Sequence, residues 1–207
     1  MERLKSNLQN MVGVLVGVAF ACALLLSVFN KITAGPVAEQ AAKALQDGIK
    51  HVMKSDSVVV ESDTVVEKEF NGKMLSFVVH NTNKGVAIES TDPNAFGGNL
   101  KVLVGFNEEG KILGYTILES AETPGLGAKA SEWFVEGAPG SIVGLSAWKN
   151  NLTVKQDGGE VNAITASTIT SRSFLRAVTQ AWSAYRGDKD DAKTGATQQV
   201  EKGGKNE

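Results

Sequence analysis

From Met11 to Phe29 the chain carries no charged side chain and almost only apolar ones, roughly the twenty residues a helix needs to cross the hydrocarbon core of a bilayer. In lipid only a helix or a closed barrel satisfies its own backbone, so no other feature constrains the fold as strongly. The run predicts one membrane helix with the remaining domain behind it. A cleaved signal peptide is the competing reading. Against it, the run is long for such a segment, and no good small-x-small cleavage site follows before Pro36. Cys22 reads as a bystander in the span rather than a lipid-attachment site, since Phe20 stands ahead of it and Ala23-Leu24-Leu25-Leu26 continue the apolar run.

Arg3, Lys5 and the amino terminus precede the span and Lys31 follows it. This positive-inside bias puts residues 1–10 in the cytoplasm and the soluble part outside it. The 207 residues leave room for the span and one domain with a real core. A net charge of −2 gives no basic surplus, so no nucleic-acid partner is expected. One cysteine excludes an intrachain disulfide, leaves no cysteine cluster for zinc or an iron–sulfur centre, and cannot spell the Cys-x-x-Cys-His of covalent haem. His51 and His80 complete a poor ligand set. Both read as ordinary surface or boundary residues, and neither a metal site nor a catalytic triad is expected.

Thr33-Ala34-Gly35-Pro36 reads as a helix stop and restart, followed by a membrane-proximal helix from Val37 to Lys54. The β-branched run from Ser57 to Phe70 and the stretch Met74 to His80 predict a hairpin across Asn71-Gly72. Asp92 to Gly98 reads as a turn-rich loop. A second hairpin is expected from Leu100–Phe106 and Ile112–Leu118, then a short helix carrying Trp133 and Phe134, and a short strand at Leu152–Lys155. Phe174, Leu175, Val178, Trp182 and Tyr185 recur at three- and four-residue steps and predict a last helix over 169–185 whose apolar face needs a sheet. Beyond Arg186 only Val200 is large and apolar, which predicts a disordered polar tail. The organisation is therefore a span at 11–29, a membrane-proximal helix and linker at 30–56, an α+β domain at 57–186 with antiparallel strands and flanking helices, and a tail at 187–207.

Two segments carry chemistry. The first, Ile164-Thr165-Ala166-Ser167-Thr168-Ile169-Thr170-Ser171, sets a dense row of hydroxyls on a small-residue loop just before the amphipathic helix. Free N–H groups and the positive end of that helix are suited to hold a phosphate there. The second, Glu122-Thr123-Pro124-Gly125-Leu126-Gly127, has two glycines that let backbone amides approach a flat ring, a leucine to cover its face and a threonine to bond its polar edge. A plain turn before a helix is the other reading of that loop. Gly125-Leu126-Gly127-Ala128-Lys129-Ala130 mimics a dinucleotide fingerprint, but it does not follow a strand directly and no acidic residue stands about twenty positions on to take a ribose.

The stretch Asn162-Ala163-Ile164-Thr165-Ala166-Ser167-Thr168 resembles the Asp-x-x-Ser/Thr-Gly-Ala-Thr flavin-modification motif of periplasmic FMN-binding domains, and Glu122–Gly127 resembles their Glu-Thr-Pro-Gly-Leu-Gly loop. Lys155-Gln156-Asp157-Gly158-Gly159 is similar to the family as well. With the apolar N-terminus and this chain length, these correspondences resemble the G subunits of Rnf electron-transport complexes. The C subunit of sodium-translocating NADH:quinone reductase is the nearest alternative. The resemblance implies FMN joined to Thr168 through a phosphoester. It also implies flavin contacts from Glu122, Thr123, Gly125, Leu126 and Gly127, phosphate or carbonyl contact from Lys155, and cofactor contacts from Thr165, Thr170 and Ser171 of the hydroxyl row. It further implies the other Rnf subunits and a flavin transferase as partners, a place in the bacterial inner membrane with the domain on the periplasmic side, and a role as electron carrier between ferredoxin, NAD and ion transport. Three positions depart from the motif: Asn162 for Asp, Ala166 for Gly and Ser167 for Ala, the last adding a rival hydroxyl. A membrane-tethered scaffold without cofactor, in which Thr168 only caps a helix, is the reading from another class. A reductase using flavin on its own is a third.

Overall fold

The chain divides into two compact units, one ending at Gln46 and one beginning at Asp47. The computed structural model describes residues 8–186, so the tail expected over 187–207 lies outside the described residues. The first unit holds most of helix α1, Leu8–Val52. It is the one helix among the described residues long and apolar enough to cross a membrane, and none of its apolar window is buried. The stop expected at Thr33–Pro36 is absent: Pro36 lies inside the helix. Proline removes the N–H that would reach the carbonyl of Ile32. The alanine-, glutamine- and leucine-rich turns that follow have strong helix propensity, which carries the helix through. Thr33 Oγ1 back-bonds to the Phe29 carbonyl at 2.8 Å, a contact compatible with continuing helix.

In the second unit, strands β1 (Val60–Phe70), β2 (Lys73–Thr82), β3 (Gly85–Ala95), β4 (Gly98–Phe106) and β5 (Ile112–Ser120) form an antiparallel meander in sequence order. The first hairpin turns at Asn71-Gly72 as expected, with φ of 51° and 76°, the paired positive φ that a two-residue hairpin turn needs. The second hairpin, β4–β5, also matches. The loop expected over Asp92–Gly98 does not. β3 runs through Pro93 to Ala95, and only Phe96-Gly97 turn. The ladder shifts register between Asp92, opposite Leu100, and Ala95, opposite Gly98. Pro93 falls within that irregularity, where strands tolerate proline. The strand expected at Leu152–Lys155 is reduced to a single bridge between Val154 and Val161, followed by a tight helical turn at Lys155–Asp157. Two more helices complete the unit, α2 (Ala130–Trp133) and α3 (Thr168–Arg186).

The apolar stripe of α3 closes one face of the sheet. Phe174, Leu175, Val178 and Trp182 share a core with Phe77, Val79, Ile88, Val102, Val104 and Phe106, each such burial contributing about 1.5–3 kcal/mol. Phe134 stacks on Phe174 with centroids 4.4 Å apart, and Tyr115 meets Phe174 edge-on at 4.7 Å. The Tyr115 hydroxyl donates to the Ala130 carbonyl at 2.6 Å and accepts from the Phe134 N–H at 3.2 Å. Burial pushes that phenol up to about 12.

The opposite face corrects the surface reading of His80, which is only 3% exposed. Its Nδ1 lies 2.7 Å from Asp63 Oδ1, and its Nε2 lies 3.0 Å from Oε1 of buried Glu89. Lys101 Nζ completes the row, 2.7 Å from Glu89 Oε2. Burial alone would lower the His80 pKa, but hydrogen bonds and charge from Glu89 and Asp63 outweigh it and raise it. The His80 hydrogen bond, with Lys101 behind it, holds Glu89 below its ordinary value against the effect of burial. An Asp-His-Glu-Lys row spread over four strands has no local sequence pattern, which is why the histidine read as ordinary.

Candidate functional site

Three segments meet at the first turns of α3, one of them more than forty residues earlier in the chain. Thr170 Oγ1 donates to Glu122 Oε2 at 2.9 Å in the interior, tying the Glu122–Gly127 loop to the helix. Arg172 grips Asp157 with two bonds, Nε to Oδ2 and Nη2 to Oδ1, both 2.7 Å. That pair brings in the Lys155–Asp157 turn, and the guanidinium holds the Asp157 carboxyl below its usual range. The third segment, residues 164–167, is pinned by Ser171. Its hydroxyl accepts the Ile164 N–H at 2.9 Å and donates to the Ser167 carbonyl at 3.0 Å.

Within this frame the hydroxyl row divides in two. Thr170 and Ser171 are fully buried, and their hydroxyls are engaged by the loop bonds just described. Ser167 is also buried. Thr165 is exposed and Thr168 half-buried. Thr168 is the first residue of α3, so the backbone N–H groups of Thr168, Ile169 and Thr170 have no intrahelical carbonyl, and none other among the described residues accepts from them. A half-open hydroxyl beside orphan donors suits a phosphate ester. Lys155 is exposed, with no carboxylate partner among the described residues.

The Glu122–Gly127 loop is an ordered turn. Gly125 takes φ 77° behind Pro124, and the Leu126 N–H closes on the Thr123 carbonyl at 3.2 Å, the pattern of a type II turn. Gly127 packs where no side chain fits, since a Cβ there would stand 2.3 Å from Glu122 Oε2 and 2.8 Å from Thr170 Oγ1. Thr123 is exposed and Leu126 is 43% exposed.

Two of the three departures from the flavin motif have local consequences. Ala166 stands at φ 60°, the left-handed region that the motif's glycine enters freely and alanine does not. Asn162 donates from Nδ2 to the Pro139 carbonyl at 2.6 Å, while its backbone carbonyl accepts the Trp133 indole N–H at 2.9 Å. A carboxylate could not make the first of these bonds.

Residues 96–183, which contain all three converging segments, match the model of the FMN-binding domain family. Over 173 residues the chain is 32% identical to the G subunit of the ion-translocating oxidoreductase complex of Vibrio parahaemolyticus, covering 77% of this chain and 81% of that one. The protein of the same name in Escherichia coli K12 is 33% identical over 76% and 81% of the two chains. That of Shewanella piezotolerans is 30% identical over 84% and 87%. The chain belongs to the family of G subunits of ion-translocating oxidoreductase complexes. The Rnf G-subunit resemblance therefore holds, and with it the α+β FMN-binding fold behind an apolar helix. In this G-subunit chain, three structural contributors carried no sequence signal of their own: the Arg172–Asp157 clamp, the Asn162–Pro139 bond, and Gly97, whose N–H donates to Glu122 Oε1 at 3.3 Å.

Proposed function

We propose that this subunit carries electrons through FMN joined by its phosphate to Thr168 Oγ1. The observation that carries the reading is the Glu122–Thr170 hydrogen bond, which unites the two motif segments at the helix end that offers free N–H donors. When bound, FMN supplies a ring system that takes up and releases one or two electrons. The chain's own part is to hold, orient and shield. Thr168 provides the ester oxygen, and the amides of the first turn of α3 face the phosphate charge. Lys155 supplies a further cation. Thr170, Ser171 and Glu122 keep the two loops in register rather than contact the phosphate, while Thr123, Gly125, Leu126 and Gly127 flank the ring. Thr165 lies on the open side of the same loop.

Attachment is a phosphoryl transfer from FAD made by a separate flavin transferase. Thr168 Oγ1 would be the acceptor of the FMN phosphoryl group in that transfer, with AMP as the leaving group and the hydroxyl proton released. A covalent link retains the cofactor outside the cytoplasm, where a lost one is not readily replaced. In this reading α1 crosses the inner membrane once, with the domain on the periplasmic side. The other complex subunits are the electron-transfer partners and link ferredoxin and NAD oxidoreduction to ion movement. Ultraviolet imaging of a denaturing gel tests the link: the wild-type band fluoresces and Thr168→Ala does not. A dark wild-type band would refute the covalent link.

A further inference from the structure

Phe96 sits at the tip of the β3–β4 turn, 69% exposed. The other exposed aromatics of this unit are engaged: Trp148 lies under Lys149, and Tyr185 leans on Trp182. The turn that carries Phe96 is held firmly. The next residue, Gly97, donates its N–H to Glu122 Oε1, and the other oxygen of the same carboxylate takes the Thr170 hydroxyl. One buried carboxylate therefore fixes three segments: the β3–β4 turn, the Glu122–Gly127 loop and the first turn of α3. Each presents a large apolar side chain to solvent, Phe96 on the first, Leu126 (43% exposed) on the second and Ile169 (49%) on the third. Turn tips and helix starts ordinarily carry polar residues. The three apolar side chains are thus carried on segments locked to one anchor, and the third follows Thr168 directly in the chain.

We propose that Phe96 is a wall of the flavin-ring site, positioned by Glu122 and acting with Leu126 and Ile169 to keep water from the ring. The inference rests on the FMN reading above. An aromatic face suits a flat heteroaromatic ring through offset stacking, and a side chain already fixed by its turn loses little freedom on binding.

The test uses the full chain with its bound flavin, purified in detergent without other subunits, so that no partner covers Phe96. Iodide quenching of flavin fluorescence reads solvent access, and visible-region circular dichroism reads the asymmetry of the ring's surroundings. Phe96→Ala should raise the quenching constant and weaken the dichroism, Phe96→Tyr should leave both near wild type, and Phe96→Trp should depress flavin emission through contact with the indole. Unchanged quenching and dichroism in Phe96→Ala, on protein whose peptide ending at Arg172 carries the flavin mass, would overturn this proposal and leave attachment at Thr168 standing. Absence of flavin from that wild-type peptide would overturn both.

Discussion

Thr170→Val removes one hydroxyl from the Glu122 anchor at nearly constant volume. The lost bond is a 2.9 Å contact between a buried donor and a carboxylate oxygen whose residue is 8% exposed. A hydrogen bond to a charged group contributes about 1.5–3 kcal/mol, and a buried acceptor left unpaired keeps its desolvation penalty. For a domain of this size each kcal/mol shifts the melting temperature by about 3 °C, so the mutant should melt about 5–9 °C lower. All three tryptophans, Trp133, Trp148 and Trp182, lie in the folded domain, so intrinsic fluorescence of the full chain in detergent reports its unfolding directly. Thr170→Ser should recover most of the loss. Glu122→Gln should be milder than Thr170→Val, because the amide oxygen still accepts from Gly97 and its nitrogen donates to Thr170. Thr170→Val melting within about 1 °C of wild type would refute the anchor's structural role.

Ala166→Gly should raise the melting temperature by about 3 °C, since a left-handed alanine costs about 1 kcal/mol that glycine avoids; a lower melt would contradict the positive φ. Asn162→Asp, although it restores the motif's carboxylate, should destabilise by about 1 kcal/mol through loss of the donor to Pro139, read from the same melts, with an unchanged melt as the contrary result. His80 has a raised pKa, so its contribution is complete below its ordinary 6.5 and fades as pH rises through the higher folded value. Glu89 has a lowered pKa, so its contribution is complete above its ordinary 4.5 and fades as pH falls through the lower folded value. The row is therefore fully stabilising between those two ordinary values, and His80→Gln should abolish the alkaline decline in melting temperature; parallel profiles for mutant and wild type would show that the row does not titrate with folding.

What was legible in the sequence was local. Asn71-Gly72, the Asn107–Gly110 turn and the three- and four-residue spacing of Phe174, Leu175, Val178 and Trp182 announce their elements through turn chemistry and periodicity. β3 was hidden because a central strand buried on both faces keeps no alternation, and its Glu89, Ser90 and Asp92 are polar residues in the interior, with the carboxylates of Glu89 and Asp92 paired to side chains on other elements. Gly35-Pro36 signals a break in α1 locally, and the helix formers behind it carry the helix through. At the candidate site, the motifs identified the segments but not their division of labour. Thr165 is exposed and Thr168 half-buried while Thr170 and Ser171 are buried, and only the fold decides this, because Glu122 lies 48 residues before Thr170 in the chain.

The central claim is that Thr168 carries FMN. Mass spectrometry of the tryptic peptide Gln156–Arg172 tests it most directly, with fragmentation to locate the added group. The account predicts the mass of an FMN phosphoester on Thr168 in the wild type, and an unmodified peptide from Thr168→Ala whose domain still melts within about 3 °C of wild type, since the Thr168 hydroxyl makes no hydrogen bond among the described residues. An FMN mass on Ser167 or Thr165, or one that persists in Thr168→Ala, would contradict it.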